Sequence, residues 1–517
     1  MPKALNNNFF RVKTIEPTCL YYLPNKDLFG VLLMVNQSQW NSRIAFLLSM
    51  IGAAVGLGNI WRYSYVVYSN GGGTFFIPYL IAILIMGIPF LVLEYGIGFR
   101  HKDSFSNILK GINPKLEYIS WALVLIIYFV LIYYLVIVGW DLVYLGSSFN
   151  FNWGSDSALY FVKNVGGSSN LSNMANFIIP TTISMLIVWI FVWYISHKDL
   201  NEGIGKASKI LIPLLFGIMA FIVIFALTLP GAGIGINALL KPDWQMLLNV
   251  NIWLAAFSQI IFSLSMGESI SLTYASYLPE GSKLTDNVLI VVFANCAFEV
   301  FTAFGIFSIL GYMSYTSGTP MVELVSEGTG LVFVVFPMIF NIMGPIGRII
   351  APLLFIAILF AGITSAVAVF EPMVNSTVHK LNWSRKKAVT ILSIVGCILS
   401  LLFTTGISSY LVGIVDSFIT EFCILLLIAI QCIIFGWLYD IEGVIPVLNE
   451  NDRVKVGKTW VFVLKYILPI FLFLMWGTGV YNLLLDANNF ELIVYGMITV
   501  VILILSYIFT NIPEKRQ

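Results

Sequence analysis

The chain has 517 residues, of which 59% are hydrophobic and only 10% are Asp, Glu, Lys or Arg, and its net charge is +1. Soluble domains carry roughly 25% charged residues, so a soluble enzyme and a disordered chain are excluded. A near-neutral chain also lacks the basic field that nucleic acid requires, and the composition leaves a polytopic protein of the lipid bilayer.

Residues 1–36 mix Asn, Pro and charges with no periodicity, and no cleavable signal peptide is visible. They read either as a cytoplasmic tail or as sequence upstream of a start at Met34. A membrane domain is expected over 37–512, with 513–517 as a second tail. Crossing the hydrocarbon layer takes about 20 apolar residues. Such runs occur at about 41–68, 74–99, 116–148, 176–197, 204–229 and 251–277. They continue at about 285–314, 349–380, 386–405, 408–438, 460–485 and 489–511, which makes twelve spans. A stretch at about 320–346, with Pro320, Pro337 and Pro345, reads as a helical hairpin in a loop. With both termini cytoplasmic, 23 of the 27 Lys and Arg residues fall on the inner side, which fixes a multi-pass orientation in the cell membrane.

Span one carries Gly52, Gly56 and Gly58 within seven residues, followed at once by Asn59 and Arg62. A glycine-lined packing face needs neither polar residue. The run predicts a broken helix whose freed carbonyls hold a cation and whose half-helix N-terminus holds a carboxylate. Span six repeats the interruption over Gln259–Ser269, and two broken helices five spans apart are the signature of an inverted repeat with a midplane site. In span seven Asn295 and Glu299 are four residues apart and share a face. In span eight Thr364 and Ser365 place two hydroxyls together, although hydroxyls often bond back to their own helix. Oxygen ligands without His or Cys suit a hard cation. The five cysteines and three histidines show no CxxC or paired spacing, so neither a disulfide framework nor a zinc site is expected.

Several motifs resemble the neurotransmitter:sodium symporter family, in particular its bacterial and archaeal amino-acid transporters of the leucine-transporter type. They are Trp40–Arg43, Gly52–Arg62, Asn70–Gly73, Gly87–Pro89, Ser263–Gly267 and Thr273–Tyr277, and the likeness runs over about residues 37–512. The resemblance implies an all-α fold of twelve transmembrane helices. Two five-helix inverted repeats, with helices one and six broken, are followed by two extra helices. It implies a sodium-coupled symporter importing an amino acid by alternating access. The alternative is an amino-acid sensor with the same fold and no transport, and no enzyme is implied.

Two sodium sites follow from the resemblance. The first would use the Ala54 carbonyl with Asn59, Ser263, Asn295 and the substrate carboxylate. The second would use the carbonyls of Gly52, Val55 and Ala361 with Thr364 and Ser365. The substrate carboxylate would meet the amides of Leu57 and Gly58 and the Tyr134 hydroxyl. The rest of the pocket would come from Ala54, Val130, Phe262, Ser265, Glu268 and Val369, with Phe262 and Tyr134 as lid. Arg62 and Asp416 would pair as an outer gate. Gly56 stands where monoamine carriers have an Asp, leaving room for an amino acid's own carboxylate. Glu299 stands where chloride-dependent relatives have Ser, which implies chloride independence. Gly203 and Pro213 resemble the spacing at which relatives unwind span five.

Three positions depart from the pattern. Gln37 and His379 replace the Arg and Asp of an inner ion pair, so Arg43 or Lys380 becomes a candidate to close the inner side. Glu371 replaces a more usual Gln. Glu268 puts a carboxylate at a normally apolar pocket position. There it must be protonated, sodium-bound, paired with a protein cation, or paired with the substrate.

Overall fold

The computed structural model describes residues 39–325 and 328–513. The segment 1–36, Gln37 and residues 514–517 lie outside the described residues. The described backbone is helical, with one isolated bridge between Phe177 and Thr405. Helices long and apolar enough to cross a membrane are spans two to five, Gly72–His101, Pro114–Ser148, Ile179–Ser196 and Asn201–Leu227. Spans seven to twelve are Thr285–Ser317, Gly347–Leu381, Arg385–Phe403, Ser408–Leu438, Lys458–Asp486 and Asn489–Asn511. The loop at 320–346 holds a short helix, Met321–Leu324, and a longer apolar one, Leu331–Met343.

Spans one and six are both broken. Span one consists of Arg43–Ala54 and Leu57–Ser69, bent by 50°. Val55 and Gly56 between them are extended, and the Gly56 amide donates to Asn59 Oδ1 at 2.8 Å. The side-chain amide thus takes the place of a helical partner, which offsets the cost of the break. Span six consists of Val250–Ser263 and Ile270–Ser276. In the linker Ser265, Gly267 and Ser269 have left-handed backbones, with φ of 47°, 74° and 57°. Glycine is required at Gly267 for a second reason, because an added Cβ would lie 2.3 Å from Ile428 Cγ1. Gln431 of span ten donates to the Gly267 carbonyl at 2.8 Å and anchors the linker.

Spans three and eight are the most enclosed, whereas spans eleven and twelve leave most of their surface facing outward. At one end of the bundle, the Trp40 amide donates to the Tyr277 carbonyl at 3.0 Å and its indole to the Tyr274 carbonyl at 2.9 Å. The start of span one is thereby tied to the end of span six. Span one also approaches spans five and eight closely. A Cβ on Gly52 would lie 2.9 Å from Ile212 Cδ1 and 3.1 Å from Thr364 Cβ. Span five runs as one helix through Pro213, so the stretch between Gly203 and Pro213 is wound in this structure.

Candidate functional site

The two breaks face each other across a cavity of about 460 Å³. All of the residues expected to contact substrate line it, from Ala54, Leu57 and Gly58 through Val130, Tyr134, Phe262, Ser265, Glu268 and Val369. The second half of span one opens on this cavity with its N-terminus, where the first amides of a helix have no intrahelical partner. The Tyr134 hydroxyl lies beside the Leu57 amide and Ser365. Gly56 contributes space, since a Cβ there would already be 3.6 Å from the Tyr134 hydroxyl.

Behind the cavity four spans converge on a buried oxygen-rich cluster. Asn59 Nδ2 donates to Asn295 Oδ1 at 2.8 Å, to Glu299 Oε1 at 3.1 Å and to Ser263 Oγ at 3.4 Å. Asn295 donates to the same Ser263 hydroxyl. Glu299 also accepts from Gln259 Nε2 at 2.9 Å and from the Tyr79 hydroxyl. Asn59, Ser263, Asn295 and Glu299 are all buried. Two amides, a hydroxyl and a carboxylate without nitrogen or sulfur ligands fit sodium. Tyr79 had no distinguishing signal in the sequence, being one aromatic residue in an apolar span. Gln259 lay within the interrupted stretch of span six.

The residues expected at the second ion site are also close together. Ser365 Oγ donates across to the Ala53 carbonyl of span one at 3.4 Å. The Thr364 hydroxyl instead bonds back to its own helix, to Phe360 O at 2.9 Å and Ala361 O at 3.1 Å. Thr364 packs against Gly52 of span one, and with the carbonyls of Gly52, Val55 and Ala361 the expected donor set is again all oxygen.

Comparison with known proteins bears on this arrangement directly. The family described as "Sodium:neurotransmitter symporter family" matches residues 37–176 and 155–513. The chain belongs to the sodium:neurotransmitter symporter family. An uncharacterized sodium-dependent transporter of Methanocaldococcus jannaschii is 37% identical over 484 residues, covering 93% of this chain and 98% of that protein. A sodium-dependent dopamine transporter of Caenorhabditis elegans is 27% identical over 496 residues, covering 85% of this chain and 80% of that one. The crystal structure of MhsT in complex with L-phenylalanine aligns with a TM-score of 0.72 at 29% identity. That alignment covers 86% of this chain and all of MhsT. The fold is therefore that of a sodium symporter with broken helices one and six.

For a symporter of this family the two ends of the cavity matter as much as its middle. Arg62 and Asp416, expected as a gate pair, line one end of the cavity. Arg62 donates to Gln259 Oε1 at 2.9 Å and Ser258 Oγ at 3.2 Å, and lies 4.2 Å over the Phe262 ring. Asp416 accepts from the Tyr133 hydroxyl at 2.9 Å. Both charges line the same cavity and attract across it.

At the opposite end Arg43 and Lys380, the two candidates to close it, each hold a polar partner. Lys380 is buried against Glu117 at 2.5 Å and the Thr510 carbonyl at 3.2 Å, joining spans three, eight and twelve. Arg43 donates to Asn287 at 2.8 Å, at the start of span seven. His379 is held by Asp103 at 2.6 Å. At this same end Glu371 takes a two-pronged bond from Arg385 at 2.5 and 2.7 Å and accepts from the Tyr277 hydroxyl at 2.9 Å. Arg385 also donates to the carbonyls of Ser196 and Lys198.

Proposed function

We propose that this protein imports an amino acid together with sodium by alternating access and does so without chloride. The observation that carries this reading is the cavity between the two helix breaks, backed by the buried cluster of Asn59, Ser263, Asn295 and Glu299. In this reading the amides of Leu57 and Gly58 and the Tyr134 hydroxyl receive the substrate carboxylate at a helix N-terminus, which favours an anion. Carbonyls freed at the end of Val250–Ser263 and at Ala54 receive the ammonium. One sodium ion binds next to the substrate carboxylate, so that neither binds well alone, and this mutual dependence is the coupling. A second binds between spans one and eight at Gly52, Val55, Ala361, Thr364 and Ser365, and joins the broken span to the enclosed one. Glu299 supplies beside the first ion the negative charge that chloride supplies elsewhere.

Two sodium ions moving down about 100 mV and a tenfold gradient release roughly 7 kcal/mol, enough for about 10⁵-fold accumulation of a zwitterion. The test is uptake of a labelled amino-acid mixture into liposomes carrying the purified protein. Inward sodium is expected to drive uptake, and Asn59→Ala or Thr364→Ala to reduce it at least tenfold. Uptake that persists when choline replaces sodium overturns the reading.

A further inference from the structure

Glu268 is a charged group of the cavity with no role in holding sodium or the substrate backbone. Glu268 sits in the non-helical linker of span six, is 9% exposed, and lines the cavity. No hydrogen bond or ion pair reaches its carboxylate among the described residues. Behind it Glu94 of span two, 1% exposed, is close enough for the two carboxyl groups to repel each other. Neither oxygen of Glu94 has a hydrogen-bond partner among the described residues.

The balance of charge along the described cavity wall is one-sided. Glu268, Asp416 and Glu421 are acids, and Arg62 is the one cation. Arg62 donates to Gln259 and Ser258 and lies over the Phe262 ring. The remaining wall near Glu268 includes Val130 and Val369, which offer no counter-charge. A carboxylate shut into such a site without a partner is strongly disfavoured, and a second one behind it adds to the cost. Water can solvate Glu268 while the cavity is open, but closure around an apolar side chain removes that water. A substrate that brings a positive charge on its side chain supplies the missing partner at the step where the cavity closes.

We infer that Glu268, reinforced by Glu94, makes the inner part of this cavity a subsite for an amino acid with a cationic side chain. The inference rests on the amino-acid reading of the same cavity. Sites that bury a polar group reject ligands lacking its partner by large factors, so lysine, arginine or ornithine is expected to bind at least about 100-fold more tightly than leucine.

Competition binding and thermal stabilisation of the full-length protein in sodium, with lysine, arginine, ornithine, leucine and phenylalanine, test this. Cationic amino acids are expected to stabilise the wild type, and E268Q to cut the lysine-to-leucine preference at least tenfold. E94Q is expected to move the preference the same way by a smaller factor. Wild-type protein that prefers leucine or phenylalanine overturns the cationic subsite and leaves the amino-acid reading standing. Wild-type protein that no amino acid of either class stabilises overturns both. An E268Q profile equal to wild type also overturns the subsite. If neither variant folds, the wild-type order of affinities decides by itself.

Discussion

Glu299 has no exposed surface, yet it is enclosed by donors: Asn59, Gln259 and the Tyr79 hydroxyl. Both of its oxygens thus have hydrogen-bond donors inside the cluster. Its Oε1 accepts from the same Asn59 amide that bonds Asn295. Removing it takes a negative charge from the proposed sodium site. Glu299→Ser is therefore expected to lower uptake in chloride-free buffer by tenfold or more, and added chloride to restore part of it. Uptake that falls equally with and without chloride would assign Glu299 to folding alone. At Gly267 the cost is conformational. The residue combines a φ of 74° with a neighbour, Ile428, that leaves no room for a Cβ. Left-handed backbone costs an L-residue about 1–2 kcal/mol, and the contact adds to it. Gly267→Ala is expected to lower the melting temperature and reduce uptake. Adding Ile428→Ala should recover only the contact portion, measured as a partial rise in melting temperature.

At the level of elements, the inner closure depends on where helix ends meet. Tyr277 ends the second half of span six, Glu371 lies in the last third of span eight, and Arg385 begins span nine. Arg385 and Glu371 join spans eight and nine to the end of span four, so they form a fixed unit, and Tyr277 is the bond that reaches it from span six. Losing one hydrogen bond shifts an equilibrium by about 1 kcal/mol, or about fivefold. Tyr277→Phe is expected to raise severalfold the labelling rate of a cysteine introduced at Ser276, which is buried in this closed arrangement. An unchanged rate would mean that Trp40, through its bonds to Tyr274 and Tyr277, closes the inner side without help.

For the whole molecule, orientation rests on charge rather than on packing. The loop from Arg453 to Lys458 holds three of the positive residues assigned to the inner side. It is braced by Asp452, which accepts from the amides of Leu284 and Asp286. On the opposite side, Asp243 lies in the loop between spans five and six. In intact cells an impermeant thiol reagent is expected to label Asp243→Cys and to spare Glu450→Cys until the membrane is permeabilised, because Lys and Arg retain their loops in the cytoplasm. The reverse pattern would invert the topology and with it the direction of import.

Much of this architecture follows from periodicity and polarity that lie along the chain. Ten apolar helices and the two interruptions are legible because hydrocarbon penalises every unpaired backbone group and every buried charge. Glycines and polar residues inside an apolar run therefore identify the breaks at Gly56 and Ser263–Ser269. The pocket residues were reached through motif resemblance, and the structure lines one cavity with them. What the sequence could not decide was pairing between distant side chains. Arg62 and Asp416 are charges of opposite sign at expected positions, but Gln259 and Tyr133 engage them first. Glu371 and Arg385, only fourteen residues apart, gave no sign that they would meet Tyr277. Such bonds depend on ångström-scale placement of helix ends, and that placement is set by how all the spans pack together.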